Sequence, residues 1–219
     1  MFDFVLSPAY DLLTALTDLT GATLAIILFT VGVRLLLLPL GLRQARAQRA
    51  KTRLAPDVAK LRKRFAGDPQ RFQRELGALY AREGTSMFAG LGAGLAQLPF
   101  FLVMYRLFVS ATIAGQPNLL LAQSTLGVPL GEHFGAVVAH SGLFGAPSLI
   151  FLGLFVLLAL VAWQSTRLIP EMPDVPMSGL FRLLPYGSVI AAGFLPLAAG
   201  IYLVISTAWT TAERSLRTV

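Results

Sequence analysis

The side chains that usually carry chemistry are scarce in this sequence. It contains no cysteine and only two histidines, His133 and His140, which stand near Glu132. The absence of cysteine excludes disulfides, thiolate metal sites and cysteine nucleophiles. Two histidines without a further reliable ligand make a poor metal site, and no GxxxxGK[ST] phosphate-binding motif is present. We therefore expect no cofactor, no metal and no hydrolytic activity.

One charged side chain, Arg34, lies inside a long apolar run at residues 21–42, GATLAIILFTVGVRLLLLPLGL. If that run crosses a bilayer, Arg34 is about 13 Å inside its C-terminal edge, because a helix rises about 1.5 Å per residue. An arginine at such depth costs roughly 2.5–3.5 kcal/mol on insertion scales. Three explanations are open: the side chain snorkels to an interface, it faces a water-containing cavity, or carbonyls and Thr or Gln side chains satisfy it without any transport role.

Polar side chains on the apolar segments are candidates for lining such a cavity. Thr30 lies one helical turn before Arg34, and no predicted span contains Asp or Glu that could neutralise the guanidinium. The other candidates are Gln97, Gln164, Ser165, Ser206, Thr207 and Thr210.

The composition places these residues in a membrane protein. Hydrophobic residues make up 55% of the 219 and charged residues 13%, against roughly 25% charged in soluble domains, and the mean hydropathy is +0.69. Both a free soluble globule and a disordered chain are therefore excluded. The apolar region 180–212 would reach about 50 Å as one helix, beyond a hydrocarbon core of about 30 Å, so Gly193 and Pro196 are expected to reverse it. The prediction is an all-α integral membrane protein with five transmembrane helices, at 21–42, 85–108, 147–166, 180–195 and 196–212.

Charge placement predicts the orientation of these helices. Residues 43–84 carry twelve basic and four acidic residues, whereas residues 1–20 carry three aspartates and no basic residue. By the positive-inside rule, 43–84 is cytoplasmic and the N-terminus lies outside. Segment 109–146 is then an extracytoplasmic loop, and 167–179 and 213–219 are a cytoplasmic loop and tail. Residues 1–20 alternate apolar and acidic positions at helical spacing, which predicts an amphipathic helix in the outer interface.

The basic segment 43–84 is patterned as a helical hairpin. Two apolar stripes at helical spacing flank Gly67-Asp68-Pro69, where a break, an N-cap and an N1 proline coincide. Anionic headgroups and topology explain much of the charge; the alternative is a docking surface for an acidic partner or ribosomal RNA. Base-stacking aromatics are absent, so no specific nucleic-acid target is expected. The candidate docking residues are Arg62, Lys63, Arg64, Arg71 and Arg74.

Four segments in this order resemble the YidC-type membrane protein insertases: VGVRLLLLPLGLRQ, LAPDVAKLRKRFAGDPQRFQRELGALYAREG, AQLPFFLVMYRLF and LPLAAGIYLVISTAW. The lack of a large extracytoplasmic domain is similar to the Gram-positive type. The resemblance implies a five-helix core with a hydrophilic groove open to the cytoplasm and to lipid. It also implies that Arg34 is the groove arginine and Thr30 the polar residue one turn earlier. Tyr202 matches the first residue of a frequent Tyr-Tyr pair, of which Leu203 replaces the second.

The resemblance further implies a non-hydrolytic insertase of the bacterial plasma membrane. Its substrates would be nascent membrane proteins delivered into the lipid bilayer, with the ribosome and a Sec translocon as further partners and no small-molecule substrate. The alternative is a small anion transporter or channel in which Arg34 is the binding charge. Proton coupling, however, usually needs an intramembrane Asp, Glu or His, and the predicted spans contain none.

Overall fold

Helices account for most of the chain that the computed structural model describes, which is residues 3–84, 102–113, 115–168 and 183–218. The prediction of a mainly helical protein is confirmed. The chain forms two units, one of residues 1–34 with 102–219 and one of residues 35–101.

The N-terminal helices meet at a glycine. Helix α1 covers Asp3–Thr20 and α2 covers Ala22–Arg64. Gly21 between them has φ +82°, a left-handed conformation that glycine adopts without a Cβ clash. On α1, Leu6 and Leu13 are buried in the core while Asp11 and Asp18 are exposed, as the amphipathic pattern predicts.

Helix α2 continues through the predicted boundary between 42 and 43 without a break. Pro39 and Pro56 lie within it. The apolar first part and the basic second part are therefore portions of one helix.

Within the described residues, two helices are long and apolar enough to cross a membrane: α2 and the helix Ala146–Arg167. The predicted chain reversal in region 180–212 occurs at Leu195 and Pro196. A 3₁₀ turn, Leu184–Tyr186, leads into the short helix Gly187–Phe194, and the last helix covers Leu197–Thr218. That last helix continues beyond the predicted end at 212, into the predicted tail.

The remaining elements lie between α2 and these C-terminal helices. In chain order, the helices and strands that the described residues form after α2 are α3 (Pro69–Arg82), α4 (residues 102–109), β1 (Thr112–Ile113), β2 (Gln116–Pro117), α5 (Leu119–Ala122), β3 (Ser124–Thr125), β4 (Val128–Pro129), α6 (Phe134–Ser141), α7 (Ala146–Arg167), α8 (Gly187–Phe194) and α9 (Leu197–Thr218). Strands β1 and β2 form one antiparallel pair, and β3 and β4 form another.

The segment predicted as a loop, 109–146, is a packed structure. Leu120, Val128 and Leu130 are buried in the main hydrophobic core, so apolar burial orders a stretch that has little regular periodicity in sequence. Its backbone also binds the beginning of α9: Leu197 N donates to Glu132 O at 2.9 Å, and Ala198 N donates to Leu130 O at 2.9 Å. The segment thereby holds the α8–α9 turn in place.

Helices α7 and α9 pack side by side and run in the same direction. In their first halves, a Cβ added at Gly200 would lie 3.0 Å from Leu154 Cδ1, which means that the Leu154 side chain packs directly on the backbone of α9 there. Near their ends, Arg214 Nη1 donates to Ser165 Oγ at 3.4 Å. Because early residues meet early residues and late residues meet late ones, the two helices are parallel.

Helix α2 runs in that direction as well. The hydroxyl oxygens of Thr23, in the first turn of α2, and Thr125 of β3 lie 2.6 Å apart, and the chain just after β4 binds the first turn of α9. Further along both helices, Arg34 reaches Ser206. Three helices, α2, α7 and α9, therefore share one direction in this unit.

The second unit is built on the later part of α2 and on α3. Leu54 of α2 is buried against Leu76 and Tyr80 of α3, with Val58, Phe72 and Leu79 packed around them. Asp68 caps α3, since its Oδ1 accepts a hydrogen bond from Arg71 N at 2.9 Å. The two predicted apolar stripes thus contact each other.

Candidate functional site

Arg34 and Ser206 form the polar contact between α2 and α9. Arg34 Nη2 donates to the backbone carbonyl oxygen of Ser206 at 3.0 Å and also to its Oγ. Ser206 is 4% exposed, and Arg34 is half-buried. The fold therefore joins two of the predicted groove residues, and the guanidinium is met by neutral oxygen atoms.

The carbonyl of Ser206 accepts a further hydrogen bond from its own helix. Thr210 Oγ1 donates to it at 2.9 Å. Next to it, Thr207 Oγ1 donates to Leu203 O at 2.6 Å, and Thr211 Oγ1 donates to Thr207 O at 2.9 Å. Such back-bonding satisfies a hydroxyl in an apolar helix. Helix α9 consequently concentrates several polar oxygen atoms at the level of Arg34.

Thr30, one turn before Arg34, faces the core. Its side chain is fully buried, and its Oγ1 donates to Ile26 O at 2.6 Å. The proton of this hydroxyl is thus used within α2, and the oxygen lone pairs are the part that another polar group can use.

Tyr202 lies one turn before Ser206 and packs against α4. Its ring stacks on Phe108, with 5.6 Å between the ring centroids and 28° between the planes. Phe108 is fully buried, whereas Tyr202 is half-buried. Since residues four apart share a helix face, Tyr202 and Ser206 belong to the same face of α9.

Of the two predicted glutamines, Gln164 is not part of this contact. Gln97 lies outside the described residues, and Gln164 is exposed near the end of α7. Its neighbour Ser165 is buried and accepts from Arg214 instead. Within the described chain, Arg34, Ser206 and Thr210 form one hydrogen-bonded group, with Tyr202 on the same face.

The five predicted docking residues are all exposed, but they divide into two kinds. The guanidinium carbons of Arg64 and Arg71 lie 5.5 and 5.4 Å from the centroid of the Phe65 ring. Cation–π contacts of this type stabilise exposed sites by roughly 0.5–1 kcal/mol, so these two arginines support the turn between α2 and α3. No such contact with the described residues engages the remaining three, which are Arg62, Lys63 and Arg74.

Both histidines contact the protein backbone. His133 pairs through its backbone with Pro196, and His140 Nδ1 lies 2.8 Å from Ala136 O. Among the described residues, no group of three His, Cys, Asp or Glu side chains is arranged to hold a metal ion.

Two residues that the sequence analysis did not single out support the site: Phe108 lies on α4, and Asn118 binds the end of that helix. Asn118 is buried, and its Nδ2 donates to Leu107 O at 2.8 Å and to Ser110 O at 3.0 Å, which closes the C-terminal end of α4. Phe108 supplies the stacking surface for Tyr202. Neither has a sequence signal, because Phe108 is one apolar residue among many and Asn118 lies in a segment without periodicity.

Comparison with known proteins gives a family match over most of the chain. The family described as 60Kd inner membrane protein matches residues 15–217. Membrane protein insertase YidC 1 of Halalkalibacterium halodurans is 28% identical over 186 residues, which cover 83% of this chain and 64% of that protein. Membrane protein insertase YidC of Mycobacterium tuberculosis H37Rv is 27% identical over 255 residues, covering 98% of this chain and 67% of that protein.

Other relatives are much longer than this chain. The match to Membrane protein insertase YidC of Acidiphilium cryptum is 28% identical over 190 residues and covers 84% of this chain but 31% of that protein. For the Zymomonas mobilis relative of the same name, the share of the relative is 30%. This chain thus spans about a third of the length of these curated relatives.

Proposed function

Given that this chain belongs to the 60Kd inner membrane protein family, we propose that it is a non-hydrolytic membrane protein insertase. It inserts nascent hydrophobic segments into the bilayer and passes their short polar tails across through a hydrophilic intramembrane groove. The observation that carries this proposal is the contact of Arg34 with Ser206, because it keeps a positive charge inside an apolar unit with no counter-charge among the described residues. The relatives named above, all called membrane protein insertases, support it.

The charge of Arg34 is the chemical basis of the groove. Ser206 supplies neutral acceptors only, and in the described part of the chain no carboxylate forms an ion pair with Arg34. Within the described residues no hydrogen bond engages its Nε or Nη1, so these donors can meet a carboxylate on a substrate, and a guanidinium fork suits that group. In a region of low effective dielectric this attraction is stronger than in water. The groove thus favours short acidic tails.

The groove residues divide by role. Arg34 binds the anion, Ser206 orients the guanidinium, and Tyr202 presents an aromatic surface to the hydrophobic segment. Thr30 and Thr207 add polar oxygen atoms, and we also assign Gln97 to the lining because of its place in the second predicted span.

The insertion step needs no nucleotide. The tail enters from the cytoplasm and meets Arg34 part-way across, which shortens the apolar barrier. The membrane potential assists an anion moving outward by about 2.3 kcal/mol per elementary charge per 100 mV. The hydrophobic segment then leaves sideways into lipid, favoured by about 25 cal/mol for each Å² of apolar surface removed from water.

We also propose five transmembrane segments with the N-terminus outside and the C-terminus in the cytoplasm. The common direction of α2, α7 and α9 supports this topology, because the first, third and fifth spans must be parallel. The reversal at Leu195 and Pro196 supports two short final spans. Helix α1 then lies at the outer face, and the basic unit of α2 and α3 lies in the cytoplasm.

Replacing Ser206 by alanine tests the role of this residue. The variant removes the Oγ acceptor and leaves the carbonyl, so the guanidinium keeps one of its two bonds. Losing one such bond, worth about 1–1.5 kcal/mol, should lower insertion of an acidic-tailed substrate by roughly five- to tenfold. Protease protection of that tail in proteoliposomes measures it, with a neutral-tailed substrate run in parallel.

Ser188→Ala is the matched control. Ser188 of α8 is also partly buried and donates from Oγ to a backbone carbonyl, that of Pro185 at 2.8 Å, but it does not contact Arg34. Equal losses in the two variants, or equal losses for acidic and neutral tails, would assign Ser206 a purely structural role.

The exposed basic residues Arg62, Lys63 and Arg74 form the docking surface for an acidic partner, and the ribosome is the partner we propose. Replacing all three by glutamine should weaken binding of ribosome–nascent-chain complexes to proteoliposomes by about threefold or more at low salt, because exposed charge pairs contribute roughly 0.2–1 kcal/mol each. The loss should shrink at high ionic strength. Cosedimentation of ribosome complexes with proteoliposomes at low and at high salt measures both the loss of binding and its salt dependence.

A second triple variant tests whether ribosome binding depends on these three positions or only on the net positive charge. Arg43, Arg46 and Arg53 are exposed basic residues in the preceding part of α2, and their replacement by glutamine removes the same charge. If the two triple variants bind ribosome complexes equally weakly, net charge explains the surface and the proposed docking role is wrong.

A further inference from the structure

The segment of residues 109–146 exposes apolar side chains where a water-facing segment would expose charges. It contains one charged residue, Glu132, whereas roughly a quarter of the residues in a soluble domain are charged. Leu126 is 84% exposed, and Phe144 is 82% exposed, with Leu143 beside it also exposed. Exposed apolar patches mark contact with another protein or with a membrane.

The conformation of Leu126 indicates that the turn does not require leucine. Leu126 and Gly127 connect β3 to β4 with φ angles of 51° and 84°, the pattern of a type I′ turn, in which Asn and Gly are preferred at the central positions. The side chain is almost fully exposed and so contributes little packing. Leucine is therefore a poor choice for this turn in water.

Leu126 and Phe144, the two exposed tips of this segment, lie where the apolar helices α2 and α7 of the first unit begin. The contact between Thr23 and Thr125 holds the β3–β4 turn beside the first turn of α2, and Phe144 comes two residues before α7 begins. Helices α2 and α7 are the two described helices capable of crossing a membrane. One turn into α7, Leu149 is half exposed as well, so the apolar surface of Phe144 continues onto the outside of a spanning helix.

We propose that Leu126 and Phe144 insert into the lipid leaflet at this end of the molecule and anchor the folded segment 109–146 on the bilayer. The occupant of this surface is phospholipid. Its continuity with the outside of α7 and the near absence of charge favour lipid over an aqueous protein partner. The proposal depends on membrane location alone and not on the insertase activity.

The chain contains no cysteine, so a single introduced cysteine can be labelled without background. Leu126→Cys and Phe144→Cys are labelled with an environment-sensitive fluorophore in vesicles of phosphatidylethanolamine and phosphatidylglycerol. Gln116→Cys, an exposed position in the β1–β2 hairpin, is the matched control. We expect blue-shifted emission at the two tips and about twofold stronger quenching by lipids with a nitroxide near the headgroup, as for side chains about 5–10 Å inside the interface.

Two results would overturn the proposal. Quenching at the tips no greater than at Gln116→Cys would place them in water. Blue-shifted emission without quenching by the nitroxide lipids would mean that protein, such as a second copy of this chain, covers them.

Leu126→Asn gives an independent test, because the direction of its effect on amide exchange depends on whether residue 126 lies in water or in lipid. Asparagine suits a left-handed turn better than leucine, so if residue 126 faces water, the backbone amide hydrogens of residues 124–128 should exchange more slowly in the variant. If Leu126 is anchored in lipid, the same amides in vesicles should instead exchange faster than in the unmodified protein. Slower exchange in vesicles would contradict the anchoring.

Discussion

Replacing Arg34 by alanine should lower insertion of acidic-tailed substrates by about tenfold or more and leave the protein in the membrane. A hydrogen bond to a charged group contributes about 1.5–3 kcal/mol, and the variant removes the positive charge that would meet the tail. The contacts with Ser206 disappear together with that charge, so no buried cation is left unpaired and the fold should persist. Complementation in a depletion strain and protease protection of the tail in proteoliposomes measure the effect.

Two further variants make this experiment specific. Arg34→Lys keeps the charge but loses the planar fork, so partial activity is expected. Arg106→Ala removes an exposed arginine from α4 and should leave insertion unchanged. Full activity of Arg34→Ala would exclude the groove mechanism, and anion flux through vesicles that depends on Arg34 would favour the alternative transporter.

Replacing Gly200 by valine should separate α9 from α7. A Cβ at this position would lie 3.0 and 3.2 Å from the two methyl carbons of Leu154, and both residues are buried. Valine adds two more methyl groups to that space, and overpacking of this kind costs about 1–3 kcal/mol. We expect the midpoint of thermal unfolding in detergent to fall by about 2–10 °C.

Gly193→Val provides the comparison for this effect. Gly193 is also a helical glycine, but an added Cβ would meet nothing within 4 Å, so its unfolding temperature should change little. Because α9 carries Ser206 and Tyr202, Gly200→Val should also reduce insertion. An unfolding temperature equal to that of Gly193→Val would show that α7 accommodates the added bulk and that the close approach is unimportant.

Local sequence patterns predicted where some of the helices begin and end. The cap at Asp68 and the reversal near Pro196 each depend on the conformational limits of one or two residues, and the structure has both. The family resemblance drawn from the four motifs is likewise confirmed by the match over residues 15–217. Such features are readable because each is contained in a short stretch of chain.

The structure of segment 109–146 could not be predicted from local sequence patterns. Its apolar residues have neither helical nor strand periodicity over a useful length, and they are ordered by burial against helices far away in sequence. The sequence therefore left open whether this segment is an irregular loop or a further half-buried helix, and it gave no sign that the segment binds the first turn of α9. The capping of α4 by Asn118 depends on the same tertiary packing.

By itself, the sequence determined that the protein is a mainly helical membrane protein, and that it carries an arginine with no acidic partner on its predicted spans. Only the tertiary structure decided which of several polar candidates meets that arginine. Ser206 is 172 positions away, and its selection over Gln164 depends on the parallel packing of α2, α7 and α9. A helix pattern specifies the face of a residue, but the partner across that face depends on how the helices are arranged in space.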